Sequence, residues 1–218
     1  MAPRELIYGR RPVAEAERGR RAVRRVWRAP ETPAEELERL AGSPDHQGVV
    51  AEVDPYPYAD PAELLAEPGS LLLALDQIHD PQNLGAICRS AEVAGAAGVV
   101  IPERRSAAVS AAVCKASAGA VEHLRVARVR NLADWLRDAK QAGFWTWAGD
   151  PDAPAPAWEV DLRGSLVLVL GGEEKGVRRR VAGACDGSLS LPQRGRIGSL
   201  NVSAAAAALI FEAIRQRD

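Results

Sequence analysis

The chain has 218 residues, 47% hydrophobic and only 5% aromatic, enough for one large domain or a small and a larger one built on an aliphatic, alanine-rich core. A formal net charge of −1 excludes nucleic-acid binding by bulk charge alone. The three cysteines, Cys88, Cys114 and Cys185, are widely spaced and form no metal-ligand or CxxC pattern, which excludes a disulfide framework or zinc site and sets the expectation of a reducing, cytoplasmic setting without metal.

Met1 to Arg11 holds no apolar targeting segment and no later apolar run is long enough to span a bilayer, so no membrane association is expected. Arginines at 4, 10, 11, 18, 20, 21, 24, 25 and 28 face only Glu5, Glu15 and Glu17, and form a local basic patch. It reads as a solvated helix face or as a phosphate-contacting surface. Tyr8 to Ala16 predicts a short helix, Val23 to Arg28 a strand, Glu35 to Ala41 a helix and Gly48 to Val53 a strand. The proline-rich stretch Asp54 to Pro61 then breaks the pattern and predicts a connection between units.

From Ser70 the pattern becomes regular. Strands are predicted at Leu71 to Leu75, Gly98 to Ile101, Glu122 to Ala127, Phe144 to Ala148, Leu166 to Leu170 and Ser188 to Leu191. Helices are predicted at Gly85 to Ala94, Ala108 to Gly119, Leu132 to Ala142 and from Ala204 to the end. Short apolar strands alternating with helices define an α/β fold with a mostly parallel sheet covered on both faces. Ligands bind such sheets beyond the strand carboxyl ends, which directs attention to the loops after Leu75, Leu170 and Leu191.

In the first loop Asn83 can cap the following helix, Arg89 sits where a core-facing helix would carry an apolar residue, and a lone His79 reads as a bystander. The second, Gly171-Gly172-Glu173-Glu174-Lys175-Gly176, is neither a P-loop nor GxGxxG, but Glu173 at the strand tip can accept hydrogen bonds or orient an arginine. The third runs from Leu191 to Ser203 into an alanine-rich helix, where Ser199 and Asn201 flank Leu200 at a helix N-terminus suited to a ligand with a polar edge and a flat face.

In this order and spacing the three blocks resemble the signature motifs of the SpoU (TrmH-like) RNA 2′-O-ribose methyltransferases of the SPOUT superfamily, over about Leu71 to Arg217. The resemblance implies a C-terminal trefoil knot holding S-adenosylmethionine through Gly171, Leu191 and Leu200. It further implies a catalytic set of Asn83, Arg89, Glu173, Ser199 and Asn201, with Arg89 nearest the ribose hydroxyl. A homodimer with each site completed near the partner subunit, no metal, and RNA as substrate are also implied. Ile7-Tyr8-Gly9 and His46 to Ala51 resemble the start and end of the family's RNA-binding domain, with a shorter middle between Trp27 and Asp45. The domains implied are 1–58 for substrate binding, 59–69 as linker and 70–218 for methyl transfer. The domain order most resembles the subgroup acting on a guanosine of 23S ribosomal RNA. Transfer RNA, an antibiotic-binding ribosomal site, and an inactive RNA-binding assembly factor are the alternatives.

Overall fold

The computed structural model describes residues 4–172 and 175–218. In chain order the strands are β1 (Glu5–Tyr8), β2 (Val23–Arg28), β3 (Val49–Val53), β4 (Leu71–Asp76), β5 (Gly98–Pro102), β6 (Val126–Val129), β7 (Trp145–Gly149), β8 (Leu166–Gly171) and β9 (Gly187–Leu189). The helices are α1 (Arg10–Arg18), α2 (Ala34–Ala41), α3 (Pro81–Val93), α4 (Ala111–Ala116), α5 (Leu132–Gln141), α6 (Arg179–Ala182) and α7 (Val202–Arg215).

Strands β4 to β9 form one six-stranded sheet in the order β6-β5-β4-β8-β7-β9, and every pairing is parallel. Alternation along the central strands sends Leu71, Leu73, Leu75, Leu166, Leu168 and Leu170 to one face. Leu72, Ala74, Val167 and Val169 go to the other, which α5 and α6 cover through Leu132, Leu136 and Val181. Burial on both faces is what makes β4 and β8 read as uninterrupted apolar runs. An α/β fold with a parallel sheet is therefore established.

The first three strands form a separate antiparallel sheet, β1-β3-β2. Its apolar residues Ile7, Val49 and Val53, with Val13 of α1, do not close a core of their own. They pack into the same cluster as Ile87, Val113 and Leu168 of the larger unit. The proline-rich connection is pinned as well: Tyr56 is buried, its hydroxyl donates to the carbonyls of Val121 and Leu124, and the Ala59 N–H reaches the Val126 carbonyl.

Three expectations shift, and two short elements had none. Helix α3 starts at Pro81 and not near Gly85, because Asp80 caps it by accepting from the Gln82 N–H and Pro81 is pre-set for the first helical turn. Helix α4 covers only Ala111–Ala116, since left-handed backbone at Ala118 and Gly119 ends it early. Strand β6 begins at Val126, because 120–122 is a tight turn that buries Glu122. Strand β1 and helix α6 are too short to show a period in the sequence.

Candidate active site

Four parallel strands end at the same edge of the sheet: β4 at Asp76, β7 at Gly149, β8 at Gly171 and β9 at Leu189. The chain leaving β7, β8 and β9 lines a cavity of about 670 Å³, within the range of small-molecule sites. Leu170, Leu189, Leu191, Leu200 and Leu209 supply its apolar wall, and Gly149, Gly171 and Ser188 bring backbone to it. Gly171, Leu191 and Leu200, singled out from the sequence, all line this cavity, as does Ser199. Leu200 is 51% exposed, an apolar side chain at the mouth with a free flank.

The glycines at the end of β8 serve the chain's own packing. A Cβ on Gly171 would fall 1.9 Å from the Gly176 carbonyl carbon, and one on Gly172 would fall 2.7 Å from the Gln77 carbonyl oxygen. Gly171 therefore lies directly against Gly176, and Gly172 against the chain just beyond β4. Asp76, fully buried, fastens the loop after β8: its carboxylate accepts from the Arg178 N–H at 2.9 Å, from Nε at 2.9 Å and from Nη2 at 2.6 Å. That hydrogen bonding raises the Arg178 guanidinium above the ordinary arginine range, against the opposing effect of burial. Asp76 and Arg178 escaped the sequence reading, although an aspartate closing an apolar strand and an arginine two residues past Gly176 were visible.

Asn201 caps α7. Its Oδ1 accepts from the Ser203 N–H at 2.8 Å and the Ser203 hydroxyl at 2.6 Å, while its Nδ2 donates to Asn83 Oδ1 at 3.0 Å. Asn83 is not the N-cap of α3. Asp80 has taken that place, and Asn83 sits inside the first turn, 7% exposed, with its amide turned to Asn201. Flanking residues Leu200 and Val202 both line the cavity, so the two-asparagine contact stands next to it, although neither asparagine is among the lining residues.

Arg89 lies elsewhere. It is six positions on from Asn83, which at 3.6 residues per turn puts the two roughly 120° apart around α3. It is exposed and lines a different groove with Arg11, Glu15 and His123, the last two paired at 2.9 Å. Glu173 lies outside the described residues. The loop after β7 also faces the cavity, through Asp150 and Asp152, and Lys175 stands across from it. The sequence reading passed over that loop because its signal, Gly149-Asp150-Pro151, looks like an ordinary turn. Among the described residues no cluster of three or more metal-ligating side chains occurs, and no helix is long and apolar enough to cross a membrane.

A mixed apolar and backbone-lined cleft at the carboxyl ends of a parallel sheet, beside a capped helix start, defines an α/β protein with a small-molecule site, and the comparisons specify its class. Residues 70–211 match the SpoU rRNA Methylase family, and residues 31–59 match a segment described as RNA 2′-O ribose methyltransferase substrate binding. A 23S rRNA (guanosine-2′-O-)-methyltransferase RlmB of Xanthomonas campestris is 45% identical over 186 residues, covering 83% of this chain and 75% of its own. An uncharacterized tRNA/rRNA methyltransferase of Mycolicibacterium vanbaalenii is 44% identical over 192 residues, covering 86% of this chain, which spans 61% of that relative's length. The SpoU methyltransferase AviRb of Streptomyces viridochromogenes, solved in complex with the cofactor AdoMet, superposes with a TM-score of 0.81 at 26% identity, covering 97% of this chain and 89% of its own. The chain belongs to the SpoU family of RNA 2′-O-ribose methyltransferases. S-adenosylmethionine is its cofactor, and the cavity fits it: an adenine-sized apolar wall, backbone groups, and charged side chains of both signs at the rim.

Proposed function

We propose that the chain methylates the 2′-hydroxyl of a guanosine ribose in 23S ribosomal RNA. The observation that carries this reading is the contact between Asn83 and Asn201 next to the cofactor cavity, which joins the first and third motifs at one point. The RlmB relative supports the choice of nucleotide.

In this reading Gly171, Leu191 and Leu200 hold the cofactor. Bound S-adenosylmethionine supplies a methyl group on a positively charged sulfur, an activated leaving group that needs no metal. The protein must bring the ribose oxygen in line and stabilise it as its proton leaves. Asn83, Ser199 and Asn201 supply the polar groups, and Glu173 orients a guanidinium there. An arginine, with a solution pKa above about 12, is a poor base and a good electrostatic partner for the developing alkoxide. We assign that role to Arg89. Because Arg89 points away from its own chain's cavity, the assignment requires a homodimer in which the site is completed from the partner subunit. A trefoil knot formed by the chain beyond β8, the division into units 1–58, 59–69 and 70–218, and a cytoplasmic location complete the reading.

Mapping ribose methylation across ribosomal and transfer RNA in cells with and without the gene tests it. Loss of a single guanosine 2′-O-methyl in 23S rRNA is expected. Loss from a transfer RNA instead, or no loss from either, overturns the assignment.

A further inference from the structure

The arginine-rich N-terminus, the obvious anchor for RNA, is largely spent within the protein. Arg4 pairs with Glu52, Arg18 with Glu15, Arg21 with Glu122, Arg24 with Asp54 and Arg28 with Glu17. Arg20 donates to the Leu124 carbonyl and the Tyr56 hydroxyl, and Arg25 stacks on Trp27. The segment 31–59 offers phosphate still less: it has seven carboxylates (Glu31, Glu35, Glu36, Glu38, Asp45, Glu52, Asp54) against one arginine, Arg39.

A row of free positive charge lies on the carboxyl-end rim of the large sheet. Beyond β5 come Arg104 and Arg105, beyond β6 Arg130, and beyond β8, directly after Arg178, the pair Arg179 and Arg180, all exposed. The rim is held as one piece. Pro102 and Val129 are neighbours in the sheet, the Glu103 N–H reaches the Val129 carbonyl, and Arg128 donates to the Glu103 carbonyl, so Arg104 and Arg105 stand beside Arg130. Arg130, Arg178 and Arg180 line one groove of about 240 Å³ at the start of α5. Arg178 is tied to Asp76, so that groove adjoins the cofactor cavity, which Gly176 and Val177 line. Among the described residues Arg104, Arg105, Arg130 and Arg179 meet no carboxylate at ion-pair distance. Arg180 approaches Asp134 at 3.8 Å, and Asp134 already engages Arg137.

We propose that this rim of Arg104, Arg105, Arg130, Arg179 and Arg180 grips the sugar–phosphate backbone of the substrate RNA, a task the N-terminal arginines do not perform. The inference rests on the RNA-methylating reading above. Phosphate contacts set orientation without reading sequence, and a row of arginines leading to the cofactor cavity fits that task. Each phosphate contact releases counterions and contributes about 0.7–0.9 to the salt slope of binding.

The test is binding of the full chain to deproteinised ribosomal RNA from cells lacking the gene, across monovalent salt, with methyl transfer to the same RNA measured alongside. Arg104→Ala/Arg105→Ala/Arg130→Ala/Arg180→Ala is expected to weaken binding at least tenfold near 0.1 M salt and to flatten the slope by about 3. Affinity for S-adenosylmethionine stays, and Arg4→Ala/Arg24→Ala/Arg28→Ala binds RNA within about twofold of the parent. If the quadruple variant loses cofactor affinity, Arg105→Glu/Arg130→Glu is measured in its place, with the same expected loss. A rim variant that keeps parental affinity and slope while the parent methylates overturns the rim and leaves the enzymatic reading intact. A parent that neither binds nor methylates ribosomal RNA overturns both.

Discussion

The Arg21 guanidinium meets the Glu122 carboxylate through two hydrogen bonds, at 2.8 and 2.6 Å, with both side chains 1% exposed. Arg21 precedes β2 of the small sheet and Glu122 lies in the turn before β6 of the large one, so this pair is a buried polar joint between the two sheets. Glu5 at 3.0 Å and the Cys114 sulfur at 3.0 Å complete the guanidinium's partners. Burial lowers the Arg21 pKa, and the bonds to Glu122 outweigh it and keep the charge. Removing one member leaves the other charged and buried, at a cost of about 3–5 kcal/mol. Arg21→Met is therefore expected to shift the urea midpoint strongly downward, and Arg21→Met/Glu122→Leu to recover most of the loss. A single variant with parental stability would show that the joint is held by the shared apolar cluster alone.

This joint also marks how far the sequence could be read. The parallel sheet was legible because β4 and β8 are apolar on both faces. Gly171, Leu191, Ser199 and Leu200, which line the cavity, came from the family resemblance of their motifs and not from periodicity. Charges that are satisfied at long range were not legible. Arg21 looked like one member of a basic patch, since its partner is 101 residues away. Asp76 and Arg178, 102 residues apart, failed to show for the same reason. Asn83 had the right neighbours for a cap and lost that place to Asp80, which Pro81 favours.

Asp76 holds the loop after β8, and with it part of the cofactor cavity, through Arg178. Asp76→Asn keeps the volume but removes the charge and one acceptor, leaving a buried amide in poor company. A loss of about 1–3 kcal/mol in stability is expected, at the low end because Arg178 is itself 42% exposed. Affinity for S-adenosylmethionine, measured calorimetrically, is expected to fall several-fold through the loosened loop. Unchanged cofactor affinity with lowered stability would place the loop's contribution outside binding.

All three thiols are held in the neutral form. Burial pushes Cys88, Cys114 and Cys185 up to about 12. At pH 8 the thiolate fraction is then roughly 10⁻⁴, against about a quarter for an ordinary cysteine. Iodoacetamide should therefore label the folded chain very slowly at pH 8, and all three positions quickly in urea. Cys185, half-buried at the cavity, is expected to react first, its rate rising about tenfold per pH unit up to pH 10, where a free thiol would have levelled off. Stoichiometric labelling of folded protein at pH 8 at the rate of a free thiol would contradict this.

The bond from Asn201 Nδ2 to Asn83 Oδ1 separates two jobs that one side chain performs. Asn201 Oδ1 caps α7 by accepting from Ser203, and losing a cap costs about 1 kcal/mol. Asn201→Asp keeps the acceptor and so the cap, but replaces the donor to Asn83 with a second carboxylate oxygen facing a carbonyl. Thermal stability should stay within a few degrees of the parent, and cofactor affinity should hold because Leu191 and Leu200 are untouched. Methyl transfer should fall by about 10²-fold, the scale seen when one preorganised polar group at a reaction centre is lost. Asn201→Ala should show the same loss of transfer with an added loss of stability. If Asn201→Asp transfers methyl at the parental rate, the asparagine pair is a capping device and the reaction centre lies elsewhere along the cavity.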